Sequence, residues 1–293
     1  MDMSLRLINE TLIGYKKPTL LFSGGSDSMV LLDLIYKKTL FRPPIIFVDT
    51  GMEYFETQSF VENVCREYGA ELHIAKATRH HLDQWRKQGW PMLGKLAARK
   101  WMQRHQGRNF GFRLNVSSCC RNMKILPGRR LTKKIGGDLQ ITGQRGGQDD
   151  KLRGMRAFKD GSVSYVKSDK ITIFNPLIGW TDLMIRRYTK QNCLPVHPRK
   201  RAGAITIGCI YCGGGGQFTN SGFKILRKLE PELWKRFVVD YAGGNIILAI
   251  KHDKPLPKIQ RVVKALGGLK KLYDSRPWIF DFLEMPPRTG YIK

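Results

Sequence analysis

Eight residues near the start of this chain, Leu21-Phe22-Ser23-Gly24-Gly25-Ser26-Asp27-Ser28, limit its fold more tightly than any other feature. Apolar residues 19–22 read as a strand, and residues 29–35, Met-Val-Leu-Leu-Asp-Leu-Ile, read as a buried helix. The turn between them has two glycines that let backbone approach a ligand, and the exposed N–H groups and positive end of the helix attract an anion. Serine hydroxyls add hydrogen bonds, so the segment is predicted to cradle phosphate. A Walker A loop is excluded, because it needs a longer spacing and a Lys before Ser or Thr. A plain Gly-Ser turn ahead of a core helix is the alternative, and the strand and helix on either side weigh against it.

Two further strand ends carry related polar residues. Residues 45–48 form a short buried-strand pattern ending in Asp49-Thr50-Gly51, followed by Glu53, Phe55, Glu56-Thr57 and a helical pattern over 59–68. Residues 139–142 read as another strand, ending in Gly143, Gln144 and Arg145, with Arg153 beyond. Asp49, at a strand's carboxyl end, stands where open α/β sheets place ligand-binding groups. The arginines suit phosphate through forked hydrogen bonds.

Ser23 to Ser28 resemble the SGGxDS signature of the PP-loop ATP pyrophosphatases. The segments at Asp49 and Gly143 are similar to the DTG…ET and TGxR…R segments of that superfamily's sulfonucleotide reductase branch. The resemblance implies that Ser23, Gly24, Gly25, Ser26, Asp27 and Ser28 hold the pyrophosphate of ATP with Mg²⁺. It places Asp49, Thr50, Gly51 and Gly143 in the nucleotide pocket, and gives Asp27, Ser28, Arg145 and Arg153 roles in cleavage between the α and β phosphates.

Six cysteines, Cys65, Cys119, Cys120, Cys193, Cys209 and Cys212, decide the accompanying chemistry. With no signal-peptide pattern and no apolar run long enough for a membrane span, a reducing cytoplasmic location is expected. There an adjacent pair plus a C-x-x-C reads as metal or cluster ligation ahead of disulfides. Cys119-Cys120 and Cys209-Ile210-Tyr211-Cys212 resemble the CC…CxxC set of iron–sulfur adenylylsulfate reductases, which implies a [4Fe–4S] cluster on those four thiolates; zinc is the rival. Asn192, Leu194-Pro195, His197-Pro198, Gly203 and Ile207-Gly208 look like that branch's approach to its CxxC. Cys65, on an apolar helix side with Val61 and Val64, is expected in the core. Cys193 reads either as a core thiol or as a sulfur carrier.

The chain also departs from the reductase pattern. Those reductases attack sulfate sulfur with a cysteine in a terminal Glu-Cys-Gly-(Ile/Leu)-His motif, whereas no cysteine follows Cys212 here. Their loop is degraded, whereas Ser23 to Ser28 keep the full form, so ATP splitting is expected. A pyrophosphatase loop joined to a cluster resembles enzymes that activate a nucleic-acid oxygen and replace it with sulfur. Those are tRNA thiolases and the sulfur-transfer subunits of DNA phosphorothioation systems. The expected activity is adenylation of nucleic acid, DNA ahead of tRNA, with a cysteine desulfurase as sulfur donor and Cys193 or the cluster handling sulfur. A sulfonucleotide reductase using another thiol and a non-catalytic nucleic-acid-binding subunit are the competing readings.

Charge points toward a polyanionic partner: 51 Lys and Arg stand against 24 Asp and Glu, a formal net of +27. No acidic residue occurs between Asp83 and Asp138, while Lys and Arg crowd residues 86–134. Trp85, Trp90, Trp101, Phe110 and Phe112 are interleaved there, a mixture suited to phosphate contacts with bases stacked on the rings. Rings turned inward beneath a basic surface are the alternative. At 293 residues and 42% hydrophobic content the chain can bury a large core. Strand patterns near 19–23, 45–49, 71–75 and 139–142, alternating with helical ones, predict an α/β fold. The expected form is a doubly wound parallel sheet, Rossmann-like and adenine nucleotide alpha-hydrolase-like, with a mainly helical C-terminal extension. The glycine run at 213–216 marks the expected boundary between a nucleotide and cluster domain over 1–215 and a basic extension over 216–293. In the extension, residues 222–237 read as a helix broken at Pro231.

Overall fold

The computed structural model describes residues 2–93, 95–115, 118–146, 161–203, 207–212 and 222–280. The elements begin with α1 (Asp2–Leu12), β1 (Pro18–Leu21), α2 (Ser26–Lys38), β2 (Ile45–Asp49), α3 (Glu56–Glu67), β3 (Leu72–Lys76), α4 (His81–Gln88) and α5 (Lys95–Arg104). They continue with α6 (Leu126–Lys134), β4 (Leu139–Ile141), β5 (Val163–Val166), β6 (Ile171–Phe174) and α7 (Asp182–Gln191). The last are α8 (Gly222–Leu229), α9 (Pro231–Lys235), α10 (Gly243–His252), α11 (Leu256–Ala265) and α12 (Gly268–Ser275). The chain forms two units, each built from two stretches: Met1–Thr78 with Arg121–Arg201, and Arg79–Cys120 with Ala202–Lys293.

The first unit is a six-stranded sheet in the order β3-β2-β1-β4-β6-β5, with flanking helices. β1 to β4 and β6 run parallel, while β5 pairs antiparallel with β6 and makes the edge. The doubly wound parallel sheet is therefore present, with one antiparallel edge strand that the sequence patterns do not reveal. β2 is buried along Ile45–Val48, as expected of an unbroken apolar run covered on both faces. α2 is buried from Ser28 to Tyr36, so its apolar sequence all round reflects a central position in the core. Within that core the Asp33 carboxylate accepts hydrogen bonds from Tyr68 at 2.9 Å and from Tyr188 of α7 at 2.7 Å, tying three elements together. β1 lies between β2 and β4, where the strand order reverses, and the loops after these three strands share the sheet's carboxyl end, where such sheets bind ligands.

The second unit is helical among its described residues, and the glycine run at 213–216 expected to open it lies outside them. Residues 79–120 group with the C-terminal stretch. The aromatic residues explain why. The Trp85 ring, fully buried, lies 6.2 Å from Tyr211 and 6.0 Å from Phe237, and the Trp90 ring lies 6.4 Å from Phe237. The Leu256 amide donates to Phe110 O at 2.9 Å, and His105 pairs with Asp253 at 3.0 Å. Trp101 packs on Phe110 and Phe112, at 4.6 and 5.6 Å between ring centres. Trp85 and Phe110 therefore pack inside the unit, whereas Trp90, Trp101 and Phe112 are half-buried. The helix predicted over 222–237 is interrupted at Pro231 as expected, and it passes from α9 into a π-helical turn at Arg236–Asp240.

Candidate nucleotide and thiol sites

The loop after β1 is shaped from inside by Ser28. Its Oγ donates to Gly25 O at 2.9 Å and receives the Ser23 amide at 3.3 Å and the Ser23 hydroxyl at 3.2 Å. Gly24 turns at φ +74°, and a Cβ there would stand 3.2 Å from the Phe60 ring, so glycine is required on both counts. Gly25 caps α2 without a side chain, leaving first-turn N–H groups for an anion. Ser23 is exposed, and Gly25, Ser26 and Asp27 are half-buried.

Gly143, two residues past β4, seals this loop from the neighbouring strand. A Cβ on it would lie 3.1 Å from both Asp27 C and Ser28 N. Arg145 follows, 5% exposed. Its Nη2 donates to Asp182 Oδ1 at 2.6 Å, its Nη1 donates to Trp180 O at 3.2 Å, and its Nε stands 3.0 Å from Asp27 Oδ1 at ion-pair distance. The guanidinium expected on phosphate is thus buried and engaged by two carboxylates, Asp27 and Asp182. Arg153 lies outside the described residues.

The loop after β2 is an Asx turn: Asp49 Oδ1 accepts the Gly51 amide at 2.8 Å, with Gly51 at φ +71°. Thr50 is buried and donates its amide and hydroxyl to Glu53 at 2.8–2.9 Å. The following residues meet a segment distant in sequence. Arg199 holds Glu56 through two hydrogen bonds, 2.6 and 3.1 Å, and its guanidinium lies over the rings of Tyr54 and Phe55 at 5.4 and 5.7 Å. His197 Nε2 lies 3.1 Å from Thr57 Oγ1, and its Nδ1 accepts the Arg199 amide at 3.1 Å. Burial works against the Glu56 charge, but the Arg199 hydrogen bonds, a backbone hydrogen bond and the Arg199 and His197 charges together hold the carboxyl below its usual range. Burial likewise holds the His197 imidazole below its ordinary pKa. Sequence reasoning names Glu56, Thr57 and His197 in separate segments; it misses Arg199 and Asp182, and for Arg199 the only signal is its place beside His197-Pro198.

No disulfide joins any of the six cysteines. Cys65 is in the core at 2% exposure, where burial pushes its thiol up to about 12. Cys193 is exposed just past the end of α7, at φ +47°, with its amide donating to Lys190 O at 3.3 Å. The other four thiols lie in the second unit. Burial pushes Cys119 up to about 12, and the Cys120 and Cys209 thiols add to the shift. Cys212 closes a tight turn on Cys209, its amide donating to Cys209 O at 3.0 Å. Four thiolates suit an iron–sulfur cluster by donor chemistry, but the described residues do not bring the four sulfurs to one point. Among the described residues, no three His, Cys, Asp or Glu side chains close on one point at single-ion spacing, and no helix is long and apolar enough to cross a membrane.

Residues 17–214 match the phosphoadenosine phosphosulfate reductase domain. A phosphoadenosine 5′-phosphosulfate reductase of Alkalilimnicola ehrlichii is 26% identical over 191 residues, 64% of this chain and 67% of that protein. An adenosine 5′-phosphosulfate reductase of Mycobacterium tuberculosis is 29% identical over 187 residues, 62% of this chain and 61% of that protein, so this chain spans less than two thirds of it. The crystal structure of the Candida auris phosphoadenylyl-sulfate reductase superposes with a TM-score of 0.49 at 21% identity, covering 70% of this chain and 87% of that one. The chain belongs to the phosphoadenosine phosphosulfate reductase domain family.

Proposed function

We propose that this protein is an ATP pyrophosphatase that adenylates nucleic acid, DNA ahead of tRNA, so that sulfur can replace an oxygen. The observation that carries the reading is the complete loop Ser23 to Ser28, folded around Ser28 and sealed by Gly143 at the open start of α2. The α2 amides and the Ser23 and Ser26 hydroxyls would bind the β and γ phosphates, and Asp27, held by Arg145, would hold a Mg²⁺ ion, which supplies charge neutralisation when bound. The acceptor oxygen attacks the α-phosphorus and the bond to pyrophosphate breaks; the terminal sulfur of a persulfide supplied by a cysteine desulfurase then displaces AMP, and a second thiol cleaves the resulting S–S bond, leaving a disulfide on the carrier and the reduced sulfur on the acceptor. Cys119, Cys120, Cys209 and Cys212 would hold a [4Fe–4S] cluster, which supplies soft, redox-active iron–sulfur chemistry when bound. Cys193, an exposed thiol, is the candidate persulfide carrier. The excess of cationic side chains supports a polyanionic acceptor.

A sulfonucleotide reductase is the second reading, favoured by the curated relatives. One assay separates the two, on protein purified without oxygen. Pyrophosphate release from ATP, stimulated by DNA or tRNA and lost in Ser28→Ala, supports the pyrophosphatase. Sulfite formed from adenylylsulfate and thioredoxin, with no pyrophosphate from ATP, would return the protein to the reductases. Iron and acid-labile sulfide, measured in wild type and in Cys119→Ser with Cys209→Ser, test the cluster independently.

A further inference from the structure

The second unit contains a cavity of about 220 Å³ whose lining includes neither the nucleotide loop nor the cysteines. Its deep end is formed by Trp85, fully buried, and Asn245, 8% exposed; Trp90 and Phe112, half-buried, line its sides. Arg86, Arg113 and Gln260, all exposed, stand at its mouth. The walls are preformed by backbone hydrogen bonds: Trp90 N donates to Arg113 O at 2.8 Å, and Asn115 N to Trp90 O at 2.9 Å. Gly89 permits this approach, since a Cβ there would fall 2.7 Å from the Leu114 carbonyl carbon.

The volume exceeds the ~150 Å³ cavity that admits benzene and falls below the ~300–1,000 Å³ of sites for drug-sized ligands. It therefore suits one planar ring system. Aromatic side walls favour a π-face, and two guanidiniums at the mouth favour phosphate. A simple anion would not use the rings.

We infer that this cavity is a pocket for a single unstacked nucleobase, its flanking phosphate held by Arg86 and Arg113. The inference rests on the proposed function only for the source of the base, a strand or a free nucleotide. The test uses the full chain and two fluorescent probes: a single-stranded oligodeoxythymidine carrying one 2-aminopurine, and 2-aminopurine riboside 5′-monophosphate. Stacking in the pocket quenches 2-aminopurine, and Gln260→Trp, at an exposed position of α11, plugs the mouth without entering the core. Wild type is expected to quench a probe several-fold, and Gln260→Trp to abolish the quench and weaken that probe's binding at least tenfold, with an unchanged melting temperature. Quenching of the oligonucleotide alone identifies a base within a strand; quenching of the monophosphate as well identifies a free-nucleotide pocket. Equal quenching by wild type and Gln260→Trp, or none by wild type, overturns the inference. Pyrophosphate release from ATP by the wild type is read separately, so failure of the pocket and failure of the pyrophosphatase reading remain distinct.

Discussion

Gly143→Ala tests whether the seal between β4 and the nucleotide loop has the tightness the geometry requires. The added methyl would sit 3.1 Å from Asp27 C and Ser28 N and 3.2 Å from Asp27 O, inside the 3.4–4 Å of ordinary contact. All three neighbours are backbone, so relief requires the first turn of α2 to shift by a few tenths of an ångström. Overpacking of this kind costs about 1–3 kcal/mol, and at ~2–4 °C per kcal/mol for a unit of this size the melting temperature should fall by roughly 2–12 °C. The function should suffer more, because displaced amides lose charge-assisted hydrogen bonds worth about 1.5–3 kcal/mol each. Loss of one raises the Kd for ATP at least ~10-fold. Gly179→Ala is the control: nothing lies within 4 Å of a Cβ there, and Gly179 is not among the glycines with positive φ. It should leave stability unchanged or raise it by about 0.4–1 kcal/mol. Scanning calorimetry and ATP titration calorimetry read both quantities. A Gly143→Ala protein with wild-type melting and wild-type ATP affinity would refute the idea that this glycine sets the loop.

Arg145→Met leaves Asp27 and Asp182 without their shared cation and should cost about 2–3 kcal/mol in urea unfolding, below the 3–5 kcal/mol of a fully buried pair because Asp182 is half exposed. Adding Asp182→Asn should recover part of the loss; an unchanged midpoint for Arg145→Met argues against the positioning role. His81 lies among the rings of His80, Trp85 and Tyr241, where burial first and His80 second lower its pKa to about 4. The unfolded chain then takes up the proton first, so the stability His81 contributes is complete above about pH 6.5 and is lost as pH falls toward 4. Melting curves should therefore decline more steeply with acid in wild type than in His81→Gln, and parallel curves would contradict the assignment. For Glu56 and Arg199, a double-mutant cycle with Glu56→Gln and Arg199→Met should return a coupling of about 1–3 kcal/mol; additivity would mean the two segments are not held by this pair.

Four strands are readable from sequence to within two residues because β1, β2, β3 and β4 are short apolar runs bounded by turns. β5 and β6 are not, since Val163–Val166 alternates exposed and half-buried positions in a polar setting and acquires strand character only by pairing at the edge. The loop residues are legible from type and position, as Ser23 to Ser28 and Asp49 illustrate, because few residue types serve a phosphate cradle or a strand end. The state of Arg145 is not: its partner Asp182 is 37 positions away, and no local pattern announces a buried guanidinium. The aromatic tract shows a further limit. Spacing reveals that Trp85 and Phe110 are interleaved with cations, but the facing of each ring is decided by Tyr211, Phe237 and Leu256, far along the chain. The glycine run at 213–216 suggests a domain boundary, whereas the second unit draws on both sides of it through those same non-local contacts.

The two-stretch construction of the second unit imposes an order on biosynthesis. α4, α5 and Cys119-Cys120 leave the ribosome early, whereas Cys209, Cys212 and the rings of Tyr211 and Phe237 that cover Trp85 follow only after β4, β5, β6 and α7. A nascent chain paused before residue 207 holds all six described strands of its sheet and an unfinished helical half, with Trp85 still lacking those ring partners. If the four thiols hold the proposed cluster, its loading has to wait for the last pair and becomes a late maturation step, so that bound iron would report that both stretches have met.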